Sequence, residues 1–388
     1  MPFYHRLGHI PPVKHTAFYK PDGKSLYREE LVSSKGFSGI YSTKYHHHLP
    51  TAVLHVEELP LHKEVDWPEA PVLYYHFFTD HKREGGTLIG ARNVFLKNDH
   101  CTIATANVTE ATSDFYRNAH AAEYVFVHHG KGVLVSEFGS IPFDAGDQII
   151  IPRTVTHQFK FDQSTRAKLL IVESDTAFEI PPHYRNEYGQ LEEHAPYSER
   201  DFKVPLELTT NDEKGEFRVI VKAGTRYFEH IVPHHPFDVV GWDGYLYPFA
   251  FNIRDYHPKV GRIHLPPPTH LAFQTGHFVL CNFVPRPYDF HELAVPVPYF
   301  HSNIDSDEVL YYVAGEFMSR IGVREGSITL HPGGMPHGPQ PGKTEASIGA
   351  KGTDEYAIMI DTYEPLRPTL NVKETIDERY ARSWLESE

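Results

Sequence analysis

A repeat constrains this chain more than any other feature of its sequence. Residues 123–130 read EYVFVHHG and residues 308–315 read EVLYYVAG, each a glutamate, an apolar run and a closing glycine in one register. Further on, GDQIIIPRTVTH (146–157) matches GSITLHPGGMPH (326–337), with the proline and the final histidine at the same offsets. Self-similarity of this kind means that one supersecondary unit is used twice.

The unit is β. Runs such as PVLYYHFFT, DQIIIP, FRVIVKAG and HFVLCNFVP alternate with Gly, Pro, Asn and Asp, the punctuation of antiparallel strands closed into a sandwich or barrel. A histidine and a glutamate entering one strand, followed by a proline turn and another histidine, form the cupin signature. The expected fold is therefore mainly β: a bicupin of two antiparallel β-barrel or jelly-roll modules. Helical periodicity is confined to the C-terminus, where Ile376, Tyr380 and Trp384 fall four apart and predict one amphipathic helix. The polar, strand-poor stretch EEHAPYSERDF puts the module boundary near residue 200, dividing 1–200 from 201–388.

The two copies differ in chemistry. The stretch PYFHSNIDSDEVLYYVAG leads a crowd of polar groups straight into a buried strand, where unpaired polar groups are costly. A metal ion is a partner that removes this cost. The C-terminal copy offers His301, Glu308 and His337, with Asn303 where many cupins keep another histidine. Two imidazoles and one carboxylate leave open positions on the ion, the donor set of non-haem Fe(II) oxygenases. Asp307 competes for the carboxylate role, since neighbouring strand residues point to opposite faces and only one can face the ion. In the N-terminal copy Tyr116 stands at the position of His301 and Asn118 at that of Asn303. His120, Glu123 and His157 remain and could still hold a metal, while the copy reads as a mainly structural barrel with a degenerate site.

Composition narrows the function classes. The 388 residues carry a net charge of −14 and no Lys/Arg-rich run, which disfavours nucleic acid and anionic membranes as partners. Only Cys101 and Cys281 occur, too few for a disulfide framework. No 18-residue apolar run is present, and MPFYHRLGHIPP lacks the basic and apolar regions of an export signal, so a cytoplasmic location is expected. Most of the 28 histidines, such as His46 to His48 or His234 and His235, sit in polar loop stretches and read as structural.

On the motifs PYFHSN, LHPGGMPHGP, DVVGWDGYLYPFAFNI (238–253) and FSGIYSTKYH (37–46), the chain resembles the homogentisate 1,2-dioxygenase family, its shorter bacterial branch in particular. The resemblance implies an Fe(II)-dependent enzyme that opens a 2,5-dihydroxyphenyl ring with dioxygen, homogentisate to maleylacetoacetate in tyrosine and phenylalanine breakdown. Its iron ligands fall on His301, Glu308 and His337. Its acid/base histidine falls on His264, with His270 as the alternative, and its substrate pocket on His331 and Phe317. It also implies a homo-oligomer, trimer or hexamer. The chain departs from the family in a His301-to-Glu308 spacing one residue longer and in Phe317, where the family has a tyrosine. The remaining readings are a gentisate or hydroquinone dioxygenase, or an isomerase or non-enzymatic bicupin.

Overall fold

Runs of Val, Ile, Tyr and Phe bounded by glycine and proline form strands throughout the computed structural model. It describes residues 2–61, 65–81, 85–162, 166–297, 299–317 and 319–385. The glycines that close the two repeated strands, Gly130 and Gly315, both adopt positive φ (105° and 89°). That conformation is open to glycine at little cost, which explains their place at the strand ends. A Cβ at Gly315 would also lie 2.4 Å from the Asp354 carbonyl oxygen.

The molecule is a bicupin, mainly β as expected. In the N-terminal module two large sheets form. One runs in the order 202–203, 249–252, 147–151, 122–129, 167–174, 101–108, 92–97 and 367–368; the other in the order 139–143, 132–136, 157–161, 115–118, 214–223, 226–234 and 55–59. The C-terminal module is built on a sheet ordered 271–274, 278–283, 356–362, 307–314, 328–331 and 75–77, with a short ladder between Arg286–Pro287 and Gly352–Thr353. The repeat is legible in the pairing itself. Tyr116 pairs with His157 as His301 pairs with His337, Glu123 with Ile151 as Glu308 with His331, and Glu123 with Glu173 as Glu308 with Asp361.

Two expectations need correction. The sheets do not divide at residue 200, because Lys214–Ala223 pairs in parallel with Phe115–Asn118 and Phe249–Asn252 pairs with Asp147–Ile151. Tyr75–Phe77, from the N-terminal half, in turn closes the edge of the C-terminal sheet against Ile328–His331. The C-terminus forms two short 3-10 helices, Leu370–Thr375 and Tyr380–Arg382, in place of one continuous amphipathic helix. Backbone bonds from Phe78 N–H to Thr375 and from Asp377 N–H to His76 pull Ile376 into a β-bridge with Phe77, which interrupts the helix. Tertiary pairing there outweighs a helical pattern worth only tenths of a kcal/mol per residue.

One apolar core runs through both modules, joining Phe126, Ile149 and Trp242 to Phe273, Tyr311 and Ile360. Among the described residues no helix is long and apolar enough to cross a membrane.

Candidate metal centre

Strand Asp307–Ala314 and strand Ile328–His331 pair antiparallel, and the turn beyond the second brings His337 back to the segment before the first. There His301 and His337 exchange backbone bonds, N–H to carbonyl in both directions at 2.8 Å. This places side-chain atoms of His301, Glu308 and His337 within 4.8 Å of one another. His301 Nε2 lies 3.4 Å from Glu308 Oε2 and His337 Nε2 lies 3.3 Å from Glu308 Oε1.

Backbone carbonyls set the ring orientations. Met335 O sits 3.0 Å from His337 Nδ1 and Tyr299 O sits 3.4 Å from His301 Nδ1, so in each ring Nε2 is turned toward Glu308. His337 Nε2 is buried and makes no hydrogen bond. A buried ring nitrogen without a partner, opposite a carboxylate, fits a metal ligand whose other nitrogen is held from behind. Burial works to raise the Glu308 carboxyl, but the His301, His331 and His337 imidazoles hold it well below the usual range. Asp307 points elsewhere: its two oxygens accept the Gly333 and Leu366 N–H groups at 2.7 and 2.8 Å.

The N-terminal copy explains by contrast what the C-terminal one lacks. There Arg92 Nη1 lies 2.9 Å from Glu123 and 2.5 Å from Glu173, and Lys222 Nζ lies 2.5 Å from Glu173. Tyr116 donates its hydroxyl to Glu123 at 3.0 Å, His157 Nε2 stays 4.0 Å away, and His120 is exposed. A guanidinium thus occupies the place of an ion, and His120, Glu123 and His157 form no ligand cluster. In the C-terminal copy the corresponding carboxyls, Glu308 and Asp361, form no ion pair with lysine or arginine among the described residues. Burial and the Glu308 charge push the Asp361 carboxyl up to about 8.

A cavity of about 120 Å³ opens beside the cluster, lined by His301, Glu308, His264, His270, Arg286 and Tyr299 among others. His264 is half-buried, its ring edge-on to Tyr299 and its Nδ1 3.8 Å from Asp289, and burial lowers its affinity for a proton. His270 is buried, its Nδ1 lacks a partner, and burial pushes it down to about 3.

Two residues expected in the pocket do not line this cavity. His331 is fully buried between Glu308, 2.8 Å from its Nδ1, and the Tyr380 hydroxyl, 2.9 Å from its Nε2. The side chain braces the carboxylate from behind, because its strand neighbour is Glu308 itself. Phe317 lies past the glycine turn and packs edge-on against Tyr312, with ring centroids 4.8 Å apart. Sequence reasoning in turn missed Arg286, Tyr299, Asp361 and Tyr380. Asp361 had a readable signal as the counterpart of Glu173 in the repeat, and Tyr380 had one for burial alone, through its four-residue spacing from Ile376 and Trp384.

The family described as "Homogentisate 1,2-dioxygenase N-terminal" matches residues 86–253, the stretch that supplies most of the two large sheets. A protein of Saccharolobus solfataricus, "Putative dioxygenase", is 42% identical over the full length of both chains. Homogentisate 1,2-dioxygenase of Bradyrhizobium diazoefficiens is 29% identical over 68% of this chain and 61% of its own length, so the match spans less than two thirds of that enzyme. A cupin barrel protein from Leptotrichia buccalis is similar over 70% of this chain and 88% of its own, at 10% identity and a TM-score of 0.32. The full-length relative, the matched N-terminal family and the alignment with the Bradyrhizobium enzyme converge, and the chain belongs to the homogentisate 1,2-dioxygenase family.

Proposed function

We propose that the chain is an Fe(II)-dependent dioxygenase that cleaves the ring of a 2,5-dihydroxyphenyl compound, homogentisate first among them. The observation that carries this reading is the convergence of His301, Glu308 and His337 on one point beside a cavity, with a buried, unpartnered His337 Nε2. These three side chains would hold the ion, and their nitrogen and carboxylate donors suit iron. Bound there, Fe(II) supplies the means of passing electron density between an electron-rich ring and dioxygen.

The chain's own groups do the rest. His264 is neutral at pH 7, reaches the cavity and takes the phenol proton; His270, held near 3, is too weak a base to keep one. Arg286 lines the same cavity and favours a substrate that carries a carboxylate. His331 and Tyr380 keep the Glu308 carboxylate in place from behind.

Anaerobic loading with Fe(II), followed by oxygen-electrode assays with homogentisate, gentisate and hydroquinone, tests the reading. Oxygen uptake fastest with homogentisate is the expected result. An iron-loaded enzyme that consumes no oxygen with any of the three overturns it. The same reading carries a homo-oligomer, trimer or hexamer, supported by the exposed apolar side chains Phe290, Leu293, Phe300 and Ile304 near the cavity segment. Light scattering on the eluted protein should return that mass.

A further inference from the structure

Far along the chain from one another, His100, Asp175, His277 and Glu364 meet where the two modules join. His100 lies between strands Arg92–Lys97 and Cys101–Val108, and Asp175 follows strand Ala167–Ser174, all in the N-terminal module. His277 lies between strands Leu271–Gln274 and Phe278–Phe283, and Glu364 follows Tyr356–Thr362, all in the C-terminal module. The backbone locks these turns together: Asp175 N–H donates to His100 O at 3.2 Å, Tyr363 N–H to His277 O at 2.9 Å, and Gly276 N–H to Thr176 Oγ1 at 2.9 Å.

The two imidazoles stack face to face, centroids 3.7 Å apart and planes within 3°. Each edge of the stack meets one carboxylate. Asp175 lies 2.6 Å from His100 Nδ1 and 3.5 Å from His277 Nε2. Glu364 lies 3.2 Å from His100 Nε2 and 4.0 Å from His277 Nδ1. The short contact to Asp175 holds His100 by its Nδ1 and turns Nε2 toward the Glu364 edge, the arrangement in which an outer carboxylate orients a metal-binding histidine; the same carboxylate raises the affinity of His100 for a proton, which a cation at Nε2 would have to displace. Ligand atoms of His100, His277 and Glu364 all fall within 4.8 Å of one another.

We propose that His100, His277 and Glu364 form a second metal site, taking a divalent transition cation of the zinc class, with Asp175 as the carboxylate that orients the rings. Two imidazole nitrogens and a carboxylate suit zinc and its neighbours and not magnesium or calcium, which prefer all-oxygen shells. Because the rings lie parallel, a shared cation requires both side chains to rotate so that their nitrogens aim at one point, which partly exposed side chains on turns allow. The groove beside His100 and Asp175 gives it a way in from solvent. A cation bound there staples the N-terminal module to the C-terminal one.

The test is equilibrium dialysis of the iron-loaded protein against zinc, with iron and zinc counted separately by elemental analysis. Wild type should hold one more zinc per chain than His277→Gln, with the same iron, and zinc should raise the thermal midpoint of wild type only. Asp175→Asn should weaken zinc binding about ten- to a hundredfold. Equal zinc in wild type and in a folded His277→Gln protein overturns the site. If that variant does not fold, Glu364→Gln serves in its place with the same two outcomes.

Discussion

At the scale of single residues, the cluster around Glu308 separates groups that look alike in the sequence. Asp307 and Glu308 are adjacent carboxylates, yet one caps two backbone N–H groups and the other faces three imidazoles. His337→Ala should therefore lose iron and turnover together. Asp307→Ala should keep its iron and lose about 1–3 kcal/mol of stability through two uncapped donors. Elemental analysis and denaturant titration of both proteins check the pair of outcomes. Buried histidines away from the cluster set the response to acid. Burial pushes His76 down to about 4 and His128 down to about 3. The unfolded chain binds protons at these rings below about 6.5 while the folded one does not, so stability falls as pH drops from 6.5 toward 4 and then 3. Each ring adds a slope of about 1.4 kcal/mol per pH unit within its window. The His128→Gln variant should show a shallower decline than wild type in thermal melts between pH 6.5 and 4.

At the scale of elements, the same module serves two ends. Strand Ala122–His129 carries Glu123 into a buried ion network with Arg92, Glu173 and Lys222, and strand Asp307–Ala314 carries Glu308 into a ring of histidines. Replacing Arg92 with methionine leaves Glu123 without a cation in the interior and should cost about 3–5 kcal/mol. Removing both charges, as Arg92→Met with Glu123→Gln, should recover much of that loss, since Lys222 still covers Glu173. Chemical denaturation of the single and double variants reads the difference, and full iron content in the double variant would show that this network is structural. The C-terminal segment teaches the complementary lesson. The four-residue spacing of Ile376, Tyr380 and Trp384 described an inward-facing stripe correctly for Tyr380, which is buried against His331. It misjudged the backbone, because Phe77 and His76 offered that segment strand-like partners from far away in the chain.

At the scale of the whole molecule, the modules exchange strands. Residues 214–252 complete the N-terminal sheets and Tyr75–Phe77 completes the C-terminal one. Fragments 1–200 and 201–388 expressed separately should fail to fold, each left with an open sheet edge and a core cut through; circular dichroism and thermal melts of the fragments check this, and a cooperative transition in either would contradict it. The sequence by itself determined the β character, the double module and the meeting of His301, Glu308 and His337. Those follow from local periodicity and from a repeat whose positions carry their register with them. It also placed Tyr116 where His301 stands in the other copy, whereas the contacts of Arg92 with Glu123 and Glu173 came from the tertiary structure. Only the tertiary structure decided where one module ends, that His331 braces Glu308 from behind, that Phe317 turns toward Tyr312, and that His100, Asp175, His277 and Glu364 meet. Each of these depends on pairing between segments far apart in the chain, which leaves no spacing or composition to read before the sheets have formed.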